Sequence, residues 1–460
     1  MAFLKKYGVL VFGVLISVLI TLFSASLPFF WDTIQLGSEH ANWFYSNRFK
    51  HLLLPDYLDS GHFPVFGMYL AVMWSLLGKS LWVSHFAMFP FLVTIIYYLY
   101  RIGIFLTDQN FSWYFLFLLL CNPFFLGQSV LVSPDIVLLA FFVVCLHAYL
   151  RHSKWQLLVG AIGLSLISQR GFMIVFVLGA WILITDIFTG NTTKIGLVKY
   201  ILPGIILAML YQLVHYLSKG WIGYHEASPW SASFESVDSI KMLLRNTIVF
   251  AWRMIDYGNI VIWIGLLALI AKGRMRDSKI MLLLLMLVIA LAVVIIPKVG
   301  LLNHRYFLVI LIVATVAFLE LIYKSTIRFK HYFVLSAGLV LVSGNFWTYP
   351  EGIAQGWDST LNHIPYYSLF DDALSYMDNS DILLDEVGSS FPANNRISDI
   401  YLNENESVFK PFNLDNDQYI LYSNVMNEFQ GEHLFEMDNL WKPIFKKEKG
   451  NIVMILYERK

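Results

Sequence analysis

The sequence predicts a polytopic α-helical membrane protein that ends in a small α/β domain. Three observations predict it. The 460 residues are 58% hydrophobic and 17% aromatic but only 14% charged, with a mean hydropathy of +0.62. A soluble globular domain carries about 25% charged residues. The charge is also divided: residues 1–347 hold 24 Lys+Arg and 13 Asp+Glu, and residues 348–460 hold 8 and 19. A segment of net +11 thus precedes one of net −11, which sets a boundary between a membrane domain, 1–349, and a C-terminal domain, 350–460. Third, the apolar residues gather into runs long enough to cross a bilayer, for which ~20 residues suffice.

The runs read as spans near 7–29, 82–106, 111–131, 134–150, 157–169, 172–187, 198–217, 257–271, 280–297, 306–323 and 332–347. The first resembles a cleavable signal in having "SAS" at 24–26, but its apolar stretch is long and Pro28 sits badly past the cut, so a retained anchor is expected. The stretch 157–187 decides the count. As one helix it would be roughly 46 Å long at 1.5 Å per residue, too long for one crossing. As two helices it puts Lys5, Lys6, Arg101, Arg151, Lys154, Lys194, Lys199, Lys272, Arg274, Arg276, Lys279, Lys324, Arg328 and Lys330 on one side. That obeys the positive-inside rule, with eleven spans, the N-terminus cytoplasmic and the C-terminus outside. The first outer loop is then 30–81, and the loop 218–256 and the tail lie outside too. Pro64–Gly78, too short for a comfortable span and rich in Tyr, Trp and Met, reads as an interfacial helix in the membrane plane. In the tail, "DILLDEV", "QYILYSN" and "NIVMILYER" read as strands and "SLFDDALSYM" as a helix. Cys121 and Cys145 lie in apolar runs, so no disulfide holds the tail.

The suggestive charges sit at the outer ends of spans. They are Asp32 and Glu39 after the first, Asp135 at the start of "SPDIVLLAFF", Arg170 in "SQRGF", Asp256, and Lys298, His304 and Arg305 in "PKVGLLNHRYF". Carboxylates and cations from distant parts of the chain share one depth, which suits a reaction between an amphiphile's head group and an external acceptor. Each has a plainer reading. Asp135 suits a helix start. Arg170 and Arg305 suit contact with phospholipid heads. Asp32 and Glu39 suit a solvated loop, His62 suits a cap on the segment after it, and Asp56 and Asp59 read as solvated.

In order, these segments resemble the GT-C superfamily of integral-membrane glycosyltransferases, in the branch of the protein O-mannosyltransferases and the lipid A aminoarabinose transferase. "GHFPVFGMYLAVMWSLLGKSLWVSHF" is similar to that branch's His-Pro-Pro motif, in-plane helix and second span, with Phe63 in place of the first proline. "NPFFLGQSVLVSPDIVLLAFF", "LVGAIGLSLISQRGFMIVFVL" and "NHRYFLVILIVAT" resemble its later spans, Arg170 standing where Lys is frequent. The resemblance implies a polyprenyl-phosphate-linked sugar donor, an extracytoplasmic glycan, lipid or protein acceptor, and transfer with inversion. It implies that Asp32 is the base. Many relatives have two adjacent acids there; here Thr33 follows, and Glu39 is the next acid. A departing phosphate needs fixed cations, for which Arg170 and Arg305 are the candidates, Lys298 and His304 the reserves, and His62 and Asp135 supporting groups.

No cofactor is expected. A divalent metal is left open, with Asp32, Glu39 and His62 the nearest approach to a ligand set. Membrane lipids are expected partners and nucleic acid is not. The expected location is the inner membrane of a bacterium. The competing classes are a transporter or flippase, which would show repeats and midplane charge, a lipid-linked glycan polymerase or ligase of another fold, which carries its large outer loop late, and a non-catalytic scaffold for the tail.

Overall fold

The apolar runs fold as helices in the expected order. The computed structural model describes residues 2–189, 195–223, 225–226, 228, 231–273, 278–350 and 353–460, without the side chains at 2–7, 188, 189 and 195. Of the basic loop residues, Lys194, Arg274 and Arg276 lie outside the described residues, as do the side chains of Lys5 and Lys6. The membrane domain runs α1 (Ala2–Ser24), α2 (His40–Ser46), α3 (Val65–Leu77), α4 (Leu81–Leu106), α5 (Trp113–Cys121), α6 (Pro123–Ser129), α7 (Pro134–Arg151) and α8 (Lys154–Ile167). It continues with α9 (Gln169–Thr189), α10 (Leu202–Lys219), α11 (Ile240–Ile255), α12 (Ile260–Ala271), α13 (Lys279–Ile295), α14 (Leu308–Lys324) and α15 (Lys330–Ser343).

By length and composition, four of the described helical segments can cross a membrane: Leu81–Leu106, Pro134–Arg151, Gln169–Ile187 and His304–Lys324. The pair α11 and α12, bent by 93°, makes a fifth if it is one span, and Gly8–Ser24, Val65–Leu77, Lys154–Ile167 and Lys279–Ile295 are shorter apolar helices. α7 and α14 are apolar on every side and almost wholly buried, so they form the centre of the bundle. The long stretch 157–187 does break in two. Ser168 is extended (φ −166°, ψ 162°), and Gly171 lets the first turn of α9 press on α8, where any Cβ would stand 2.0 Å from the carbonyl oxygen of Leu164.

Two expectations need correction. The run 111–131 is not one helix: Pro123 cannot continue α5, and Asn122 breaks the chain and caps α6, its carboxamide accepting from the Phe124 and Phe125 N–H groups. The segment 218–256, expected as an outer loop, is not all loop. It contains the amphipathic helix α11, whose Ile240, Leu244 and Ile248 are exposed while Phe250 is buried.

The C-terminal domain holds α16 (Ile364–Asn379), α17 (Ile397–Tyr401) and α18 (Gly431–Leu440) beside a five-stranded sheet. Its strands are β1 (Val387–Ser389), β2 (Lys410–Pro411), β3 (Tyr419–Ser423), β4 (Trp441–Lys449) and β5 (Ile452–Arg459), in the order β2-β1-β3-β5-β4. β1 pairs in parallel with β2 and β3, and β5 antiparallel with β3 and β4. The strands in "QYILYSN" and "NIVMILYER" and the helix in "SLFDDALSYM" form as expected, whereas "DILLDEV" supplies only Val387 to β1. β4 escaped notice because Lys442, Lys446, Lys447 and Lys449 give it an exposed face.

This domain packs on the first loop. The Phe29 N–H donates to the Ile400 carbonyl at 2.9 Å, Ser38 Oγ donates to the Asp399 carbonyl at 2.6 Å, and Trp31 meets Phe391 edge to face. The loop after α1 and the C-terminal domain therefore share one face of the protein.

Candidate functional site

The starts of α7 and α14 meet, because both helices run the same way through the core. Ser133, not Asp135, caps α7: its hydroxyl accepts from the Asp135 N–H at 3.1 Å. The Asp135 carboxylate is thereby released to the cations. Its Oδ1 lies 2.5 Å from Arg170 Nη2, and its Oδ2 accepts from Arg305 Nη1 at 3.3 Å. Arg305 Nη2 is paired with Asp32 Oδ2. Its Nε lies 3.4 Å from Asp358 Oδ2 without a bonding geometry, so that N–H has no acceptor among the described residues. Three carboxylates thus surround one guanidinium, and Arg170 is the second cation. Both guanidinium groups lie near Tyr306, at 4.2 and 5.3 Å from the ring centre. Arg305 and Asp135 are sealed, whereas the Asp32 and Arg170 side chains keep 15% and 16% of their surface, so the cluster opens on their side. Beside it lies a narrow cleft between α7, α9, α13 and α14, lined by Leu138, Ile174, Leu287 and Leu291. An apolar lining beside two fixed cations matches an amphiphile with an anionic head.

Local structure explains Asp32. Trp31 holds a left-handed backbone (φ 56°), which costs a non-glycine residue about 1–3 kcal/mol. Thr33 closes the turn, its Oγ1 donating to the Phe30 carbonyl and accepting from the Phe30 N–H at 3.1 Å. The position after Asp32 is therefore occupied by a turn-forming hydroxyl rather than a second acid.

Asp358 was not singled out in the sequence. It belongs to a strap, Trp357–Thr360, that leads from the membrane domain into the C-terminal domain and is buried against α6. Gln128 Nε2 donates to the Asp358 carbonyl at 2.8 Å, and Gly127 makes the approach feasible, since a Cβ there would stand 2.5 Å from the Thr360 nitrogen. Burial raises the Asp358 carboxyl to about 6; Arg305 opposes that and Asp135 adds to it. Only its position in a Gly-Trp-Asp-Ser stretch just past the last apolar run could have flagged it.

The other residues expected at the site fall in neighbouring places. His304 lies one residue from Arg305 but belongs to a second cluster, with Nε2 2.8 Å from Asp256 Oδ2 and 2.6 Å from Arg253 Nη1. Asp256 was noticed in the sequence; Arg253 was not, being hidden in the unexpected α11. Lys298 is away from both clusters, donating to Ser236 Oγ at 3.2 Å. Glu39 faces the C-terminal domain: burial and the Asp399 carboxylate raise its carboxyl to about 7, with Arg396 opposing. His62 is held neutral, its imidazole lowered to about 3 by burial and then by Arg170 and His40, with Asp59 opposing, and its Nδ1 has no partner among the described residues. Among the described residues no group of three or more His, Cys, Asp or Glu is placed to hold a metal ion. Asp32, Glu39 and His62 do not form one, because Asp32 pairs with Arg305 while Glu39 faces Asp399.

Asp59 is a correction. Expected to be solvated, it is buried: its Oδ2 lies 2.9 Å from His215 Nε2 and 2.6 Å from Lys219 Nζ, and its Oδ1 accepts from the Gly61 N–H. Burial alone would raise this carboxyl, but those hydrogen bonds prevail and lower it. Asp56 is exposed and shares Lys219. Gln169, beside Arg170, ties this loop down by donating to the Gly61 carbonyl at 2.8 Å and the Gly223 carbonyl at 3.2 Å.

No protein-family model matches the chain, and no curated protein matches it either. Among solved structures it is similar to ArnT from Cupriavidus metallidurans, whose crystal structure is bound to undecaprenyl phosphate. The TM-score is 0.52 at 11% identity, over 98% of this chain and 98% of that one. At that identity the likeness shows the fold alone: the chain folds as that protein does, C-terminal domain included, which is the fold that the resemblance implied.

Proposed function

We propose that this protein is a membrane glycosyltransferase that moves a sugar from a polyprenyl-phosphate-linked donor to an extracytoplasmic acceptor. One observation carries the reading: Arg170 and Arg305 are fixed at an apolar cleft, with the half-open carboxylate of Asp32 beside them. The undecaprenyl phosphate bound to the similar ArnT fold supports a donor of that class.

The donor phosphate displaces carboxylates from Arg305 and takes charge-assisted bonds from Arg305 and Arg170, with the lipid chain in the cleft. Leaving Arg305 frees Asp32. Asp32 then accepts the proton of the acceptor hydroxyl or amine as that atom attacks the anomeric carbon. The bond from that carbon to the phosphate oxygen breaks, and its electron pair leaves on the phosphate, where the two arginines stabilise it. One displacement inverts the anomeric centre. Asp135 positions both guanidinium groups. The site faces the outside of a bacterial inner membrane, with the N-terminus cytoplasmic. Loop charge supports this: Arg151 and Lys324, at the far ends of α7 and α14, lie about 25 Å from the site at 1.5 Å per residue. α3 lies in the membrane plane.

The test is direct. Purified protein given a labelled polyprenyl-phosphate sugar should release free polyprenyl phosphate when acceptor is present. A flippase would move the lipid without cleaving it, and that result would discard the reading.

A further inference from the structure

A wide cleft lies outside the arginine site, between the segment that leads into the C-terminal domain and the end of the sheet formed by β3 and the β4–β5 turn. Its volume is about 620 Å³, and its described lining residues include none that is charged. That is unusual for its setting, since residues 348–460 carry 27 charged side chains. Trp357, Tyr349, Tyr422 and Phe429 supply aromatic groups, and Asn427 and Asn451 supply exposed amides. The walls are prearranged. Gln355 accepts from the Tyr349 N–H at 3.1 Å and donates to the Trp347 carbonyl at 3.3 Å. Asn424 accepts from the Val453 N–H at 3.1 Å and donates to the Asn451 carbonyl at 2.9 Å.

A second observation points to a ligand. The indole N–H of Trp357 is buried and has no acceptor among the described residues. Buried Trp N–H groups usually have one, and an oxygen supplied from the cleft would satisfy it. The cleft also leads to the reaction centre. Ala354, Gln355 and Asn427 line it and also line a second cleft of about 250 Å³, which reaches Arg253, His304 and Trp31. Asp32 follows Trp31 in the chain.

We infer that this cleft binds the acceptor and that the acceptor is an uncharged glycan. The inference rests on the transferase reading and names its acceptor class. Aromatic groups pack against the C–H faces of a sugar ring, and side-chain amides both donate to and accept from its hydroxyls. Among the described residues lining this cleft there is no cation, so an acidic or phosphorylated group seated in it would lose its hydration without a charged partner. A glycan lying through both clefts would bring a hydroxyl to Asp32.

The test uses the full-length protein in lipid nanodiscs over three immobilised probe sets. These are uncharged oligosaccharides of glucose, rhamnose and N-acetylglucosamine, uronic-acid and phosphorylated oligosaccharides, and unglycosylated peptides. The uncharged set should retain the protein. Trp357→Phe, which keeps the ring and removes the N–H, and Asn427→Leu at the exposed rim should each weaken retention about tenfold, the worth of one hydrogen bond in such a site. Retention by the acidic or peptide set in preference, by none, or equally by both variants would overturn the inference. Undecaprenyl phosphate binding to the wild-type protein is measured in parallel. If it binds while uncharged glycans do not, the acceptor inference fails and the transferase reading stands.

Discussion

Asp358 Oδ2 stands 3.4 Å from Arg305 Nε, so a residue leading into the C-terminal domain closes the guanidinium presented at the start of α14. An ionised Asp358 competes with any phosphate for Arg305. Its carboxyl titrates at about 6, so it is neutral below that pH and competes above it. Asp358→Asn should bind undecaprenyl phosphate about tenfold more tightly than wild type at pH 8, and about equally at pH 5. The phosphate's own titration near pH 6 cancels in the ratio of the two affinities. A ratio that does not change with pH would remove Asp358 from the donor site.

Arg170→Ala should weaken undecaprenyl phosphate binding roughly ten- to a hundredfold, from the loss of charge-assisted bonds worth about 1.5–3 kcal/mol. Arg305→Ala should instead destabilise the fold by about 3–5 kcal/mol, because it leaves buried carboxylates uncompensated. Arg305→Lys keeps the charge without the fork, so it is the variant for binding measurements and should also bind weakly. Titration by native mass spectrometry with unfolding curves separates the two effects.

Asp32→Asn keeps the shape of the side chain and cannot take a proton. Release of labelled polyprenyl phosphate should fall by about 10²–10⁴. Donor binding should survive, since Arg305 loses only a competitor. Glu39→Gln, on the face toward Asp399, should turn over normally. Normal turnover in Asp32→Asn with a dead Glu39→Gln would move the base to Glu39.

Glu39 makes the contact between the two domains pH-dependent. Its carboxyl is raised from 4.5 to about 7 in the folded protein, so the folded state holds the proton that the unfolded state releases. Stability therefore falls as pH rises from 4.5 to about 7, and the full cost is present at pH 8. Glu39→Gln should be more stable than wild type by about 1–3 kcal/mol at pH 8 and equal to it below pH 4.5. Thermal unfolding of both proteins across that range reads the difference directly.

Orientation is open to labelling. Cys121 and Cys145 are both buried, so background should be low. A cysteine replacing the exposed Asn439 should react with an impermeant maleimide in intact spheroplasts. Reaction only after lysis would reverse the proposed topology.

The membrane domain was legible in the sequence because spans are written locally: lipid requires each backbone group to be satisfied within its own helix, and length and apolarity follow. Asp32, Asp135, Arg170 and Arg305 stood out for the same reason, as charges at the ends of apolar runs. Their convergence was not legible, since it depends on α7 and α14 running side by side from the same face. Still less legible were Asp358 and Arg253. Asp358 lies in a short buried strap with no periodic pattern, and Arg253 in the amphipathic α11, whose 3.6-residue period passes unseen in a segment that reads as an outer loop. Asp59 misled because an acid in a polar loop looks solvated until His215 and Lys219, more than 150 residues on, fold over it. Local composition determined which segments enter the bilayer. Packing between segments distant in the chain decided which charges neutralise one another, because an ion pair depends on proximity in space and leaves no period in the sequence.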